Sequence, residues 1–139
     1  MTIGYHLFQI GRKIRRHIDL ALHDKAGITG QQAWILSSVS HGLSSQRDLE
    51  KELCLRRSTI SGIIDTMERE ALVKRMPSPL DKRTKALVLT SKGTHVSALC
   101  EKTLKELDGH IQSFLGPEHT AQLHHILGMM EQALEAIHV

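Results

Sequence analysis

Apolar residues recur every three or four positions at the start of the chain: Ile3, Leu7, Ile10, Ile14, Ile18 and Ala21. That spacing predicts one face of a long helix over residues 3–25. Gly27 and Gly30 interrupt it. Thr29 followed by Gln32 fits a capping box, in which a hydroxyl and a side-chain amide satisfy each other's backbone donors. A second helix over 30–40 follows, with Trp34, Ile35, Leu36 and Val39 as its buried side, and Gly42 ends it. Ser45 and Asp48 repeat the capping pattern and open a short helix with Leu49 and Leu53 turned inward. Cys54 reads as packed core, and Leu55 sits in the turn. Ser58 is the expected cap of a helix over 58–70, with Ile60, Ile64 and Met67 on one face and Ser61, Asp65 and Glu68 on the other.

The periodicity then changes. Two short apolar runs, 72–75 and 86–89, flank a polar segment with prolines at 77 and 79. Proline does not continue a ladder, and Asp, Lys and Arg suit an exposed tip, so this predicts a hairpin with a long charged end over 77–85. Thr90 is the expected cap of a helix carrying Val96, Leu99, Thr103, Leu107, Ile111 and Phe114. Gly116-Pro117 stops that helix and starts another, because proline suits a first helical turn. Ala121, Leu123, Leu127, Met130, Leu134 and Ile137 mark this last helix. Four helices, a hairpin and two helices give a mainly α fold, a winged helix-turn-helix with long terminal helices. Three segments follow: an N-terminal dimerisation helix over 1–28, the winged unit over 29–92 and C-terminal dimerisation helices over 93–139, in one compact domain. The terminal helices carry apolar faces with little else in the chain to cover them, which points to a second copy.

Composition narrows the class. The 139 residues are 40% hydrophobic and 24% charged, which describes a soluble globular chain. No apolar run approaches the roughly 18 residues of a membrane helix, and the first residues lack the order of a signal peptide, so a cytoplasmic protein is expected, with no membrane partner. The net charge of +3 is unevenly spread. Residues 45–92 hold eleven Lys/Arg against seven Asp/Glu, whereas 93–139 hold two against six. An anionic partner should meet the middle of the chain and avoid its end.

The candidate chemistry lies in that basic middle. A helix beginning with Arg56, Arg57, Ser58 and Thr59, followed by Ser61 and Gly62, has the side chains that reach base edges and phosphates when a helix enters a major groove. Gly62 allows close backbone approach. An exposed tip with Lys82, Arg83 and Lys85 can reach an adjacent minor groove or its phosphates. The plain alternative is a capped helix with solvated arginines and an ordinary polar loop. Arg47, Arg56, Arg57, Lys74, Arg75 and Lys85 are the expected phosphate contacts. Double-stranded DNA is the expected partner, and affinity should fall steeply with salt.

The string Asp81, Arg83, Leu89, Thr90 and Gly93, following RRSTISGIIDTMEREALVKR, resembles the MarR-type transcriptional regulators. The resemblance covers nearly the whole chain, since the helix order also fits. It implies a homodimer on a pseudo-palindromic operator, with the helix near Ser58 in the major groove. It also implies Arg83 at the minor groove or backbone, with Asp81 holding it or a neighbouring arginine. Many members release DNA on binding a phenolic or other small ligand, or on cysteine oxidation. A small-molecule effector is therefore an expected partner, and the chain reads as a repressor. Peroxide-sensing members carry a reactive cysteine in the first helix, and residues 1–44 here contain none. His6, Ile10, Trp34 and His41 are the expected walls of a ligand cavity, placed from the helix order.

Other chemistries find little support. His119, His124 and His125 cluster, but 124 and 125 point apart on a helix, so no metal site is expected. Cys54 and Cys100 are far apart and outside any CxxC, which suits two small buried hydrophobes. No nucleotide loop or nucleophile motif appears, so neither an enzyme nor a cofactor is expected. The competing reading is a helical dimer that binds a protein or small molecule and carries a degenerate winged helix that does not bind DNA. Glu50, Glu52, Asp65, Glu68 and Glu70 dilute the positive charge and favour it.

Overall fold

Thr2 starts the first helix, its hydroxyl accepting from the Tyr5 N–H at 3.2 Å. The structure, a computed structural model, describes residues 1–81 and 83–137. Helix α1 spans Ile3–Ala26 and closes at Gly27, whose φ of 64° is the left-handed geometry that glycine adopts freely. Helix α2, Gly30–Ser40, opens on the expected capping box, with both reciprocal Thr29–Gln32 bonds formed. Helix α3 is Gln46–Leu53, capped by Ser45, and α4 is Arg57–Arg69. Strands β1, Val73–Pro77, and β2, Lys85–Leu89, pair antiparallel from Val73↔Leu89 to Pro77↔Lys85. Helix α5 runs Ser91–Leu115 and α6 runs Pro117–Glu135.

Contacts divide the chain into two units, Met1–Thr103 and Leu104–Val139, with α5 contributing to both. The first unit holds the core: Ile18 and Leu22 from α1, Ile35 and Leu36 from α2, Leu49 from α3, Ile60, Ile64 and Met67 from α4, then Leu72, Val73, Leu87 and Cys100. Each large side chain closed off this way contributes about 1.5–3 kcal/mol of transfer free energy. In the second unit, α6 buries none of its residues.

The root of the hairpin is tied to the rest of the first unit at several points. The Leu87 N–H donates to the Ser44 carbonyl at 2.7 Å, and Ser45 bridges Ala86, so β2 is bonded along both edges. At the other end the Thr90 hydroxyl accepts from the Gly93 N–H at 2.9 Å, capping α5, and donates to the Ala71 carbonyl at 2.5 Å. The Thr90 N–H donates to the Leu72 carbonyl at 3.1 Å. A Cβ on Gly93 would stand 1.9 Å from that same Leu72 oxygen, so no residue with a side chain fits there. The Leu-Thr-two-residues-Gly string is therefore a joint: threonine closes the end of the sheet and caps the helix, and glycine lets the two backbones touch.

Several expectations need correction. Ser58 does not cap α4. Arg56 holds the cap position in an extended conformation with no side-chain cap bond, and Ser58 lies inside the first turn. Trp34 is 43% exposed, because Gln32, Ala33, Ile35 and Leu36 already fill the inner side of α2. Pro77 belongs to β1. As the last residue of a strand in a two-stranded sheet it can lack an N–H, and Ser78 makes the next bond, to the Thr84 carbonyl at 3.0 Å. Cys54 is exposed, not packed: it is the C-cap of α3 with a φ of 52°, which turns its side chain out of the core.

Candidate nucleic-acid interface

The exposed start of α4 and the hairpin tip frame one cleft. It measures about 440 Å³ and is lined by Ser45, Gln46, Arg47, Glu50, Arg57, Arg83, Thr84 and Lys85. Four cations and one carboxylate therefore face a single concavity. Of the residues expected from sequence, Arg47, Arg57, Arg83 and Lys85 come together here. Ser45, Gln46 and Thr84 join them unforeseen. The capping signal at Ser45 was legible, but its position beside the hairpin follows only from the Ser45–Ala86 bridge.

The remaining expected contacts lie around this cleft. Arg56, Ser58, Thr59 and Gly62 are exposed on α4, opposite the buried Ile60, Ile64 and Met67. Nothing in the chain comes within 4 Å of a Cβ placed on Gly62, so that part of the helix is open to close approach. Arg69, which sequence reasoning passed over, continues this exposed strip, its guanidinium donating to the Thr66 hydroxyl at 3.0 Å. Ser61 is turned inward instead: its hydroxyl accepts from the Gln46 side-chain amide at 2.8 Å and locks α3 to α4. Lys74 is exposed on β1.

Arg75 departs from its expected role. Its guanidinium donates to the Asp65 carboxylate at 2.7 Å and, more closely still, to that of Glu68, and its side chain is only 22% exposed. Burial disfavours its charge, but the hydrogen bonds and charges of the two carboxylates more than compensate, and its pKa is raised overall.

At the hairpin tip, Asp81 organises the turn through its own backbone and carboxylate. The carboxylate accepts from the Arg83 N–H at 3.0 Å, and its carbonyl accepts from the Thr84 N–H at 3.1 Å. Asp81 thus holds the Arg83 backbone, which leaves the guanidinium exposed. Lys82 lies outside the described residues.

The four residues expected around a ligand, His6, Ile10, Trp34 and His41, are all exposed. The His41 ring nitrogen Nδ1 lies 2.7 Å from the Ser37 carbonyl, and Nε2 lies 3.7 Å from the Glu101 carboxylate. None of the four lines the cationic cleft. Nor do they line a second concavity of about 710 Å³ bounded by Gly109, Gln112, Gly116, Thr120 and His124. Among the described residues no group of three or more His, Cys, Asp or Glu is arranged to hold a metal, and no helix is long and apolar enough to cross a membrane. Cys100 is buried, which pushes its thiol from 9.0 to about 11, leaving it protonated and unreactive near neutral pH.

Comparison with known proteins gives the arrangement its relatives. A model of the MarR family matches residues 26–84, from the end of α1 to the hairpin tip. The transcriptional activatory protein BadR of Rhodopseudomonas palustris is 26% identical over 134 residues, covering 91% of this chain and 75% of its own. The regulator FarR of Neisseria gonorrhoeae is 28% identical over 115 residues, covering 82% and 79%. MepR of Staphylococcus aureus, solved as a complex with DNA, superposes with a TM-score of 0.85 at 25% identity, over 96% of this chain and 99% of that one. The chain is thus similar to MarR-family transcriptional regulators: residues 26–84 match the family model, and the fold, helices flanking a two-stranded hairpin, is that of MepR.

Proposed function

We propose that the protein is a homodimeric, sequence-specific DNA-binding repressor in the cytoplasm, acting on a pseudo-palindromic operator and released by a small ligand or another signal. One observation carries this reading: Arg47, Arg57, Arg83 and Lys85 converge on one cleft between α3–α4 and the hairpin. A duplex supplies the long, regular anionic surface that such a cleft fits. Helix α4 would lie in a major groove, with Arg57, Ser58 and Thr59 toward base edges and Gly62 allowing close approach. The hairpin is the wing, and Arg83 at its tip reaches the neighbouring minor groove. Arg47, Arg56, Lys74 and Lys85 act as phosphate contacts.

Two uncovered apolar faces support pairing. On α1, Ile3, Phe8 and Ile10 are exposed, and in the second unit Phe114, Met129 and Leu134 are exposed. Apolar surface on this scale is what subunit contacts cover. A second copy would set two α4 helices about one turn of DNA apart, and the operator's symmetry would mirror theirs.

Duplexes selected from a random pool, titrated by fluorescence anisotropy at several salt concentrations, test this. The expected result is nanomolar-range binding to a two-fold symmetric site, with a steep loss of affinity as salt rises. Failure to retain any duplex at low salt would refute the reading. Small phenols added to the preformed complex test release.

A further inference from the structure

The most basic strand of the wing contains one arginine that is largely turned away from solvent. Along β1 side chains alternate between the two faces of the sheet. Val73 is buried, Lys74 exposed and Arg75 largely covered, with Arg75 directly opposite the buried Leu87. Arg75 is thus on the inner face, and there it meets two carboxylates of α4, those of Asp65 and Glu68. For the guanidinium to reach a phosphate it would have to leave both, exposing two uncompensated negative charges on the helix that approaches the DNA.

We propose that Arg75 is a positioning residue, tying the root of the wing to the side of α4 so that helix and wing tip meet a duplex as one piece, and that Asp65 and Glu68 thereby favour DNA binding although they are anions. This rests on the DNA-binding reading above and names the device that coordinates its two contact regions. The sheet is already fastened to the start of α3 by the Leu87–Ser44 bond and to α5 by Thr90. Those ties hold β2 and the foot of β1. The Arg75 pair is a direct side-chain link from the wing to α4. Without it, the wing could pivot about its foot and the tip would lose its fixed distance from Arg57. The same pairing offsets one of the two negative charges that α4 carries two to three turns after Arg57, where a free carboxylate would repel the backbone of a docked duplex.

The reading gives an outcome opposite to simple charge counting. The isosteric double variant Asp65→Asn/Glu68→Gln removes two negative charges from α4. If those residues merely diluted a basic surface, the variant would bind the selected duplex more tightly than the parent. The tie predicts binding at least about fivefold weaker. Arg75→Gln should weaken binding by a similar factor, and the triple variant should be no worse than either. Arg83→Ala should cost less in the Arg75→Gln background than in the parent, because an untied wing already delivers its tip poorly. Tighter binding by the double variant, or strictly additive losses for Arg75→Gln and Arg83→Ala, overturns the proposal. Hydrogen exchange in the absence of DNA separates this failure from failure of the DNA reading. Amides of β1 should exchange severalfold faster in Arg75→Gln than in the parent, with those of α2 unchanged. A parent that binds no duplex defeats the DNA reading alone, and the exchange result still decides the tie: unchanged exchange in β1 overturns it.

Discussion

The two units of this chain bury their apolar residues to opposite degrees. In Met1–Thr103, side chains such as Ile35, Leu36, Ile60 and Ile64 are fully enclosed, and even the polar Gln32 is buried in its own capping box. In Leu104–Val139, Phe114 is 89% exposed and α6 encloses nothing. Both segments carry apolar residues at helical spacing. The difference is that the first has helices and a sheet to cover most of its apolar faces, the start of α1 excepted, and the second has only the end of α5 and α6. One unit encloses a core of its own; the other presents exposed apolar surface. Stability and assembly should therefore be separable by mutation, and the sites to use are named by burial.

The sharpest break is in the first unit. Ile64→Ala should cost about 2–5 kcal/mol, since it opens a cavity beneath α4. Its denaturant midpoint should fall well below the parent's. Gly93→Ala should cost about 3 kcal/mol or more by forcing the Leu72 and Gly93 backbones apart. If calorimetry shows Gly93→Ala melting with the parent, the joint between sheet and α5 is looser than described.

Met129→Asp combined with Leu134→Asp tests the second unit. If a second copy covers this unit as proposed, sedimentation should show the dimer weakened by at least about a hundredfold, or about 2.7 kcal/mol, while helix content at high concentration stays near the parent's. A dimer of unchanged strength would mean these faces are not what the second copy covers.

Smaller effects sharpen the contrast. Arg83→Ala should weaken operator binding by about 1–3 kcal/mol and leave both dimer and melting temperature intact. The two cysteines report on enclosure. Cys54, exposed, should be alkylated readily at pH 7.5, whereas Cys100 should react only as the first unit opens. Burial raises the Cys100 pKa from 9.0 to about 11, so the folded state favours the neutral thiol. Its contribution to stability is intact below pH 9 and is lost as the pH rises toward 11. The parent's melting temperature should therefore fall more steeply than that of Cys100→Ala across that window.

Much of this was legible beforehand where a single local rule governs. The Thr29–Gln32 box, the Ser45 cap and the Gly116-Pro117 break depend on neighbouring residues alone, and each stands where its sequence signal lies. Legibility fails where the answer lies across the fold. Trp34 reads as core until Ala33, Ile35 and Leu36 are seen to fill the space. Ser58 has the right side chain for a cap, but the helix begins one residue earlier. Arg75 is indistinguishable from Lys74 in a string of basic residues. Only the strand register, which turns one in and the other out, assigns it to Asp65 and Glu68. The Asp81 carboxylate likewise grips a backbone N–H, a partner that composition never reveals.

The ties around the wing join positions between Ser44 and Gly93, all upstream of the second unit. A ribosome building the chain has thus made every residue these ties need before it begins α6. Among the described residues, nothing in the local bonding around the cationic cleft waits for that last helix.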